Sequence, residues 1–125
     1  MCGIFGISVN SSSRVSPRQL EAMTKRLFTL SSRRGKDTSG VALLTPERIN
    51  VVKRNMPSNR LLKTDDYKQL IGALRNGENK EGNIRDATAL IGHTRMATNG
   101  IAENHLNNQP IIKNEMVLIH NGIVV

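Results

Sequence analysis

The 125-residue sequence has one cysteine, no tryptophan and three aromatic side chains, Phe5, Phe28 and Tyr67. A single cysteine cannot close an internal disulfide, and one cysteine with three scattered histidines lacks the spacing of zinc ligands. Three aromatic rings are too few for the base-stacking platform of an RNA-recognition motif or a single-strand binder. Disulfide scaffolds, zinc modules and these nucleic-acid folds are therefore excluded.

Long apolar runs are also lacking. No hydrophobic stretch approaches the roughly 20 residues that cross a bilayer, and the N-terminus lacks the basic-then-apolar layout of a signal peptide. We therefore expect a cytoplasmic protein without a membrane partner. The hydrophobic fraction of 38% suits one small core, so we treat residues 1–125 as a single domain.

Positive charge dominates the sequence, and it is unevenly distributed. The chain carries 18 Lys and Arg against 10 Asp and Glu, and residues 1–63 hold 12 of the basic and 3 of the acidic side chains. Such a half could bind nucleic acid, another anionic partner or a phosphorylated substrate. Because no helix-turn-helix or similar pattern accompanies the charge, we favour a solvated basic face over a nucleic-acid partner.

Several segments have clear secondary-structure signals in the first 75 residues. The apolar start predicts a strand over residues 2–9. Ser16, Pro17 and Gln19 form a capping box with proline at the first helical position, which predicts a helix over residues 17–30. Two short apolar runs, 40–44 and 49–53, indicate a hairpin, and apolar spacing predicts a second helix over residues 65–75.

The remaining residues are predicted to add strands. Residues 87–95 and 116–120 have the composition of strands, and the intervening residues are expected to form a loop. Asn121-Gly122 favours a hairpin turn, with residues 123–125 as a three-residue return strand. The mixture predicts an α+β fold, and so short a final strand suggests a domain that continues beyond Val125.

Cys2 follows the initiator methionine, and this position has chemical consequences. Removal of Met1 would place a free α-amine and a thiol on one residue. An α-amine has a pKa of about 7.7–8.0, so it can act as the base for its own thiol near neutral pH. Taken alone, Cys2 is better interpreted as a small buried residue that starts a strand.

Five separated segments resemble the motifs of class II glutamine amidotransferases, which are N-terminal nucleophile (Ntn) hydrolases. In family order they are MCGIFG (1–6), RGKDTSG (34–40), GHTRMATNG (92–100), NNQP (107–110) and HNG (120–122). The third block is most similar to the glutaminase domain of glucosamine-6-phosphate synthases. The resemblance therefore identifies residues 1–125 as the N-terminal portion of a glutaminase domain.

The resemblance implies a role for each motif. Cys2 would attack the side-chain amide of L-glutamine, with the Asn121 side chain and the Gly122 N–H stabilising the oxyanion. For substrate binding, Arg95 would hold the α-carboxylate and Thr98 would line the pocket, while Arg34 and Gly35 would shape the loop over the nucleophile. No cofactor or metal is expected, and we assign no proton-transfer role to His93 or His120.

The resemblance also implies a four-layer αββα sandwich of antiparallel sheets between helices. Met96 and Asn99 depart from residues that are common in the family, and the aspartate that pairs with the substrate ammonium has no counterpart. An inactive glutamine-binding or interaction module is therefore the alternative to an enzyme. The ammonia acceptor would bind to a synthase domain or subunit. Sheet edges left unpaired could pair with a second copy of the chain, which would form a homo-oligomer.

Overall fold

The computed structural model describes residues 2–96 and 108–122 of the chain. Within these ranges the elements, in chain order, are β1 (Gly3–Val9), α1 (Pro17–Ser31), β2 (Thr38–Leu44), β3 (Ile49–Arg54), α2 (Ser58–Leu61), α3 (Asp65–Arg75), β4 (Thr88–Arg95), β5 (Ile111–Lys113) and β6 (Met116–Leu118). This mixture of helices and antiparallel strands confirms the predicted α+β class.

The first four strands form one antiparallel sheet in the order β1-β4-β2-β3. β4 lies inside the sheet, paired with β1 on one side and β2 on the other. Its residue His93 is aligned with Ile4 of β1 and with Gly40 of β2. Because β4 is hydrogen-bonded to a strand on each side, the backbone that carries the side chains near its C-terminal end is held in place.

The hydrophobic core lies between the sheet and the three helices. Phe5 of β1 meets Phe28 of α1 edge to face, with ring centroids 4.8 Å apart. The other core residues come from every strand of this sheet, from all three helices and from Ile84 in the loop before β4; the buried set is Val9, Leu20, Phe28, Val41, Leu43, Val52, Leu61, Tyr67, Leu70, Ile71, Leu74, Ile84 and Leu90.

The opposite face of the sheet carries polar side chains and is covered in part by residues 108–110. Lys53 of β3 donates from Nζ to the main-chain oxygens of Asn108, at 2.8 Å, and Pro110, at 3.2 Å. Gly40 of β2 lies directly beneath, where a Cβ atom would collide with the Gln109 carbonyl oxygen. Alternation along β4 places His93 and Arg95 on this second face.

Both predicted helices are confirmed, and each begins at a residue whose side chain caps it. Ser16 and Gln19 exchange side-chain and main-chain hydrogen bonds in a capping box at the start of α1. At α3, the Thr64 side chain accepts from the Tyr67 N–H. The predicted strands of the four-stranded sheet are also present, with ends that differ from the predicted ones by one or two residues.

The structure differs from the prediction in the end of β6 and in the loop predicted before it. β6 ends at Leu118 rather than at residue 120, and its partner is β5, in residues predicted to be a loop. Asn114 and Glu115 make the turn with φ angles of 49° and 62°, and a glutamate there gives no hairpin signal. The proposed return strand, 123–125, lies outside the described residues.

The one-turn helix α2 was not predicted. It has four residues, so it is too short to show a helical periodicity in sequence. Ser58 and Leu61 are nonetheless buried, and Leu61 belongs to the core.

Candidate active site

Cys2 lies just before β1 and connects two distant parts of the chain. Its main-chain nitrogen is 3.2 Å from Asn121 Oδ1, which accepts the hydrogen bond. Its carbonyl oxygen accepts from Arg34 Nε, also at 3.2 Å. The free thiol is on a half-buried residue. Cys2, Arg34 and Asn121, which belong to three separate motif blocks, are therefore neighbours in space.

The Arg34-Gly35 loop packs on the end of β4. Gly35 is buried, and a Cβ atom there would lie 2.5 Å from the Arg95 carbonyl carbon and 2.7 Å from the Met96 nitrogen. The Asp37 N–H also donates to the Arg95 carbonyl oxygen, at 2.9 Å. Since the colliding atoms are backbone, glycine is the residue that allows so close an approach.

Arg95 ends β4 at the same end of the sheet as Cys2. In the β1–β4 ladder Gly3 is paired with Thr94, so the residue before Gly3 and the residue after Thr94 lie at one end of this strand pair. The Arg95 side chain is 8% exposed, and its Nη1 donates to Asn108 Oδ1 at 3.2 Å. Its guanidinium is held at a site from which most water is excluded.

Asn121 and Gly122 follow the β5–β6 hairpin and are both exposed. The His120 ring lies beside Gly122, where a Cβ atom would be 2.9 Å from the ring carbon Cε1. The structure thus brings together Cys2, Arg34, Gly35, Arg95 and Asn121 with its neighbour Gly122. Thr98, the remaining predicted site residue, lies outside the described residues.

Sequence reasoning did not assign roles to His93 or Gln109, although both lie in motif blocks. His93 is fully buried, and its Nε2 is 3.2 Å from the His120 carbonyl oxygen. The Gln109 Oε1 accepts a hydrogen bond from the His120 N–H. Both contacts reach the residue immediately before Asn121, which only the folded chain places near them.

Two ionisable side chains on this face have pKa values that differ from the ordinary ones. The pKa of His93 is lowered to about 4, mainly by burial and to a smaller extent by the nearby Arg95 and His120, while the hydrogen bond to the His120 carbonyl acts in the opposite direction. Burial also lowers the pKa of Lys53. His93 is therefore neutral at physiological pH.

Neither a metal site nor a membrane span is found in the described part of the chain. Residues 2–96 and 108–122 contain no cluster of three or more His, Cys, Asp or Glu side chains that could hold a metal ion. None of the helices described is both long and apolar enough to cross a bilayer.

Comparison with known proteins connects this geometry with a class of enzymes. The chain is 36% identical over 125 residues to the glutamine–fructose-6-phosphate aminotransferases (isomerizing) of Brucella abortus and Brucella melitensis. It is 35% identical over 127 residues to the enzyme of that name from Clostridium acetobutylicum. Each alignment covers 99% of this chain and 17% of the relative. No family model matches the chain, and no solved structure matches it significantly.

These similarities confirm the resemblance that the five motif blocks indicated. Over the aligned segment, the chain is a homologue of these glutamine–fructose-6-phosphate aminotransferases. In particular, it matches the N-terminal glutaminase region of glutamine–fructose-6-phosphate aminotransferases. It spans 17% of the length of those relatives.

Proposed function

We propose that this chain hydrolyses the side-chain amide of L-glutamine, with Cys2 as an N-terminal nucleophile after removal of Met1. The Cys2 sulfur bonds to the amide carbon while the carbon–nitrogen bond breaks. The thiol proton passes through the Cys2 α-amine to the departing nitrogen, which leaves as ammonia. Water then cleaves the γ-glutamyl thioester, which releases glutamate and restores the thiol. No cofactor is needed for either step.

The observation that carries this proposal is the 3.2 Å contact between the Cys2 nitrogen and Asn121 Oδ1. It joins residues 119 positions apart and puts the nucleophile beside the Asn-Gly pair. Because Oδ1 is directed at the Cys2 nitrogen, the amide Nδ2 is available to donate to the oxyanion, with the Gly122 N–H as second donor. Removal of one such donor typically slows catalysis about 10²–10³-fold.

Arg95 is suited to bind the α-carboxylate of glutamine. Its planar guanidinium can donate two parallel hydrogen bonds to a carboxylate, a geometry that lysine cannot reproduce. At 8% exposure it has little competing water, which strengthens such a pair. Arg34 and Gly35 fix the Cys2 carbonyl and the end of β4, and Thr98 remains a predicted pocket residue from the motif alone.

The proposal includes the four-layer Ntn-hydrolase architecture and an ammonia acceptor. An antiparallel sheet with helices on one face and a second, smaller sheet beyond it is consistent with half of an αββα sandwich. The relatives are named for transfer of glutamine nitrogen to fructose 6-phosphate. We propose that ammonia from this chain passes to an acceptor bound by another domain or subunit, and that a homo-oligomer could cover the sheet edges.

The test compares glutamate and ammonia release by three proteins at saturating glutamine. The processed chain, with its mass confirming the loss of Met1, should release both products in equal amounts. Cys2→Ala should be inactive, and a matched control that keeps one residue before Cys2 should lose activity because its α-amine is blocked in a peptide bond. If that blocked protein is as active as the processed one, the N-terminal nucleophile is wrong. Thermal stabilisation by glutamine without turnover would instead favour the binding module.

A further inference from the structure

His120 precedes the Asn-Gly pair, and both of its main-chain polar groups are bonded to side chains. Its carbonyl oxygen is 3.2 Å from His93 Nε2, and its N–H donates to Gln109 Oε1. Since β6 ends at Leu118, His120 lies beyond the strand ladder. Apart from the contact of its own side chain with the Cys2 nitrogen, the position of the next residue, Asn121, therefore depends on these two side chains rather than on the β5–β6 ladder.

The chemistry of the His93 contact determines which tautomer is present. A carbonyl oxygen only accepts, so Nε2 must carry the proton and the neutral ring has none on Nδ1. Nδ1 is buried, and among the described residues it has no hydrogen-bond partner. A second proton there would be unpaired and desolvated, so the ring is a neutral donor with one fixed direction.

The two side chains reach His120 from positions that are themselves held firmly. His93 lies on β4, which is paired on both sides. Gln109 lies between Asn108 and Pro110, whose carbonyl oxygens both accept from Lys53 Nζ. Asn108 also accepts from Arg95 through its side chain. The same framework thus supports Arg95 and the residue before Asn121.

We propose that His93 and Gln109 are positioning residues that clamp the His120 peptide groups and so hold the Asn121 amide and the Gly122 N–H in place beside Cys2. Neither side chain is required to touch glutamine. The inference rests on the proposed glutaminase function, and it adds two residues that act only through the oxyanion donors. Loss of the clamp should lower kcat and leave the KM for glutamine nearly unchanged, because Arg95 keeps its contacts.

The test uses pairs of substitutions that differ in one hydrogen bond. His93→Gln can place an amide N–H near the former Nε2, whereas the shorter His93→Asn reaches only the former Nδ1. Gln109→Glu keeps an acceptor oxygen, whereas Gln109→Met keeps the length and removes it. We expect kcat to fall about 10- to 100-fold in His93→Asn and Gln109→Met, which is less than the fall for loss of an oxyanion donor. In His93→Gln and Gln109→Glu, kcat should stay within about threefold of the wild-type value. Gln69→Met, on the exposed side of α3, is the matched control.

A second measurement separates failure of the clamp from failure of the proposed function. Amide hydrogen exchange at His120 and Gly122 should be faster in Gln109→Met than in Gln109→Glu, whether or not the chain turns over glutamine. An inactive wild type with this difference would overturn the glutaminase and keep the clamp as a structural feature. Unchanged exchange, or full kcat in both His93→Asn and Gln109→Met, would overturn the clamp. If the KM for glutamine in His93→Asn and Gln109→Met rises by the same factor as kcat falls, these side chains belong to substrate binding instead.

Discussion

The imidazole of His93 connects the main sheet to the residue before Asn121. It is fully buried on the second face of the sheet and is flanked in the strand registers by Ile4 and Gly40. Its motif block suggested no role, because histidines on strands are often structural. Only the contact with the His120 carbonyl distinguishes it from an ordinary core residue.

Burial of this neutral histidine predicts a pH dependence of stability. The pKa of His93 is about 4 when folded and about 6.5 when unfolded, so between these values the unfolded chain binds the extra proton. The free energy of unfolding should therefore fall as pH decreases from about 6.5 to 4, by up to about 3 kcal/mol in total. The charged or titratable groups near the ring, Arg95 and His120, both disfavour its protonation.

Chemical denaturation of wild type and His93→Gln at several pH values measures this contribution. The stability difference between the two proteins should decrease with falling pH at a slope that approaches 1.4 kcal/mol per unit. The two proteins differ only at residue 93, so the comparison isolates the contribution of this side chain. Parallel stability curves would show that His93 titrates normally in the folded protein.

At the scale of elements, the two long helices α1 and α3 were predictable, and the one-turn helix α2 and the β5–β6 hairpin were not. The start of α1 is encoded locally by Pro17 at the first helical position and by hydrogen bonds between Ser16 and Gln19, which are three residues apart. The hairpin turn uses Asn114 and Glu115 with positive φ. A glutamate in that conformation is rare, since its Cβ crowds the following carbonyl, so the turn has no recognisable sequence signal.

The strained turn predicts that Glu115→Gly stabilises the hairpin. Glycine adopts a φ of 62° without the cost of about 1 kcal/mol that a side chain incurs, and Asn-Gly is the preferred pair for such turns. Amide exchange in β5 and β6 should become slower, and the free energy of unfolding should rise by up to about 1 kcal/mol. Glu81→Gly, in the exposed loop before β4, is the control and should not change hairpin exchange.

For the molecule as a whole, the two faces of the main sheet have different packing. The helix face contains the buried hydrophobic core. The β5–β6 hairpin has two three-residue strands, and its apolar residues Ile111, Ile112, Met116 and Leu118 are 40–66% exposed. The hairpin therefore receives little hydrophobic stabilisation, although it leads directly to Asn121.

This contrast predicts two levels of stability, which native-state hydrogen exchange can measure. Amides of β4 should exchange only through global unfolding, because β4 is paired on both sides and crosses the core. Amides of β5 and β6 should exchange through local opening, at a free energy well below the global value. Equal opening free energies for both groups would show that the hairpin and the sheet unfold as one unit.

The sequence by itself determined the parts of this protein that depend on short-range chemistry. Capping residues, apolar periodicity and the five motif blocks indicated both long helices, the strands of the main sheet and the residues Cys2, Arg34, Gly35, Arg95, Asn121 and Gly122. The structure brings these site residues together, and the catalytic and binding roles given to them remain predictions.

Only the tertiary structure decided how these parts meet. The contact of Cys2 with Asn121, the approach of Gly35 to Arg95 and the two side chains on His120 join residues that are far apart in sequence. Local propensity cannot reveal such contacts, because they depend on which strand pairs with which and on the face where each side chain emerges. The β5–β6 hairpin and the exact end of β6 were decided at this level for the same reason.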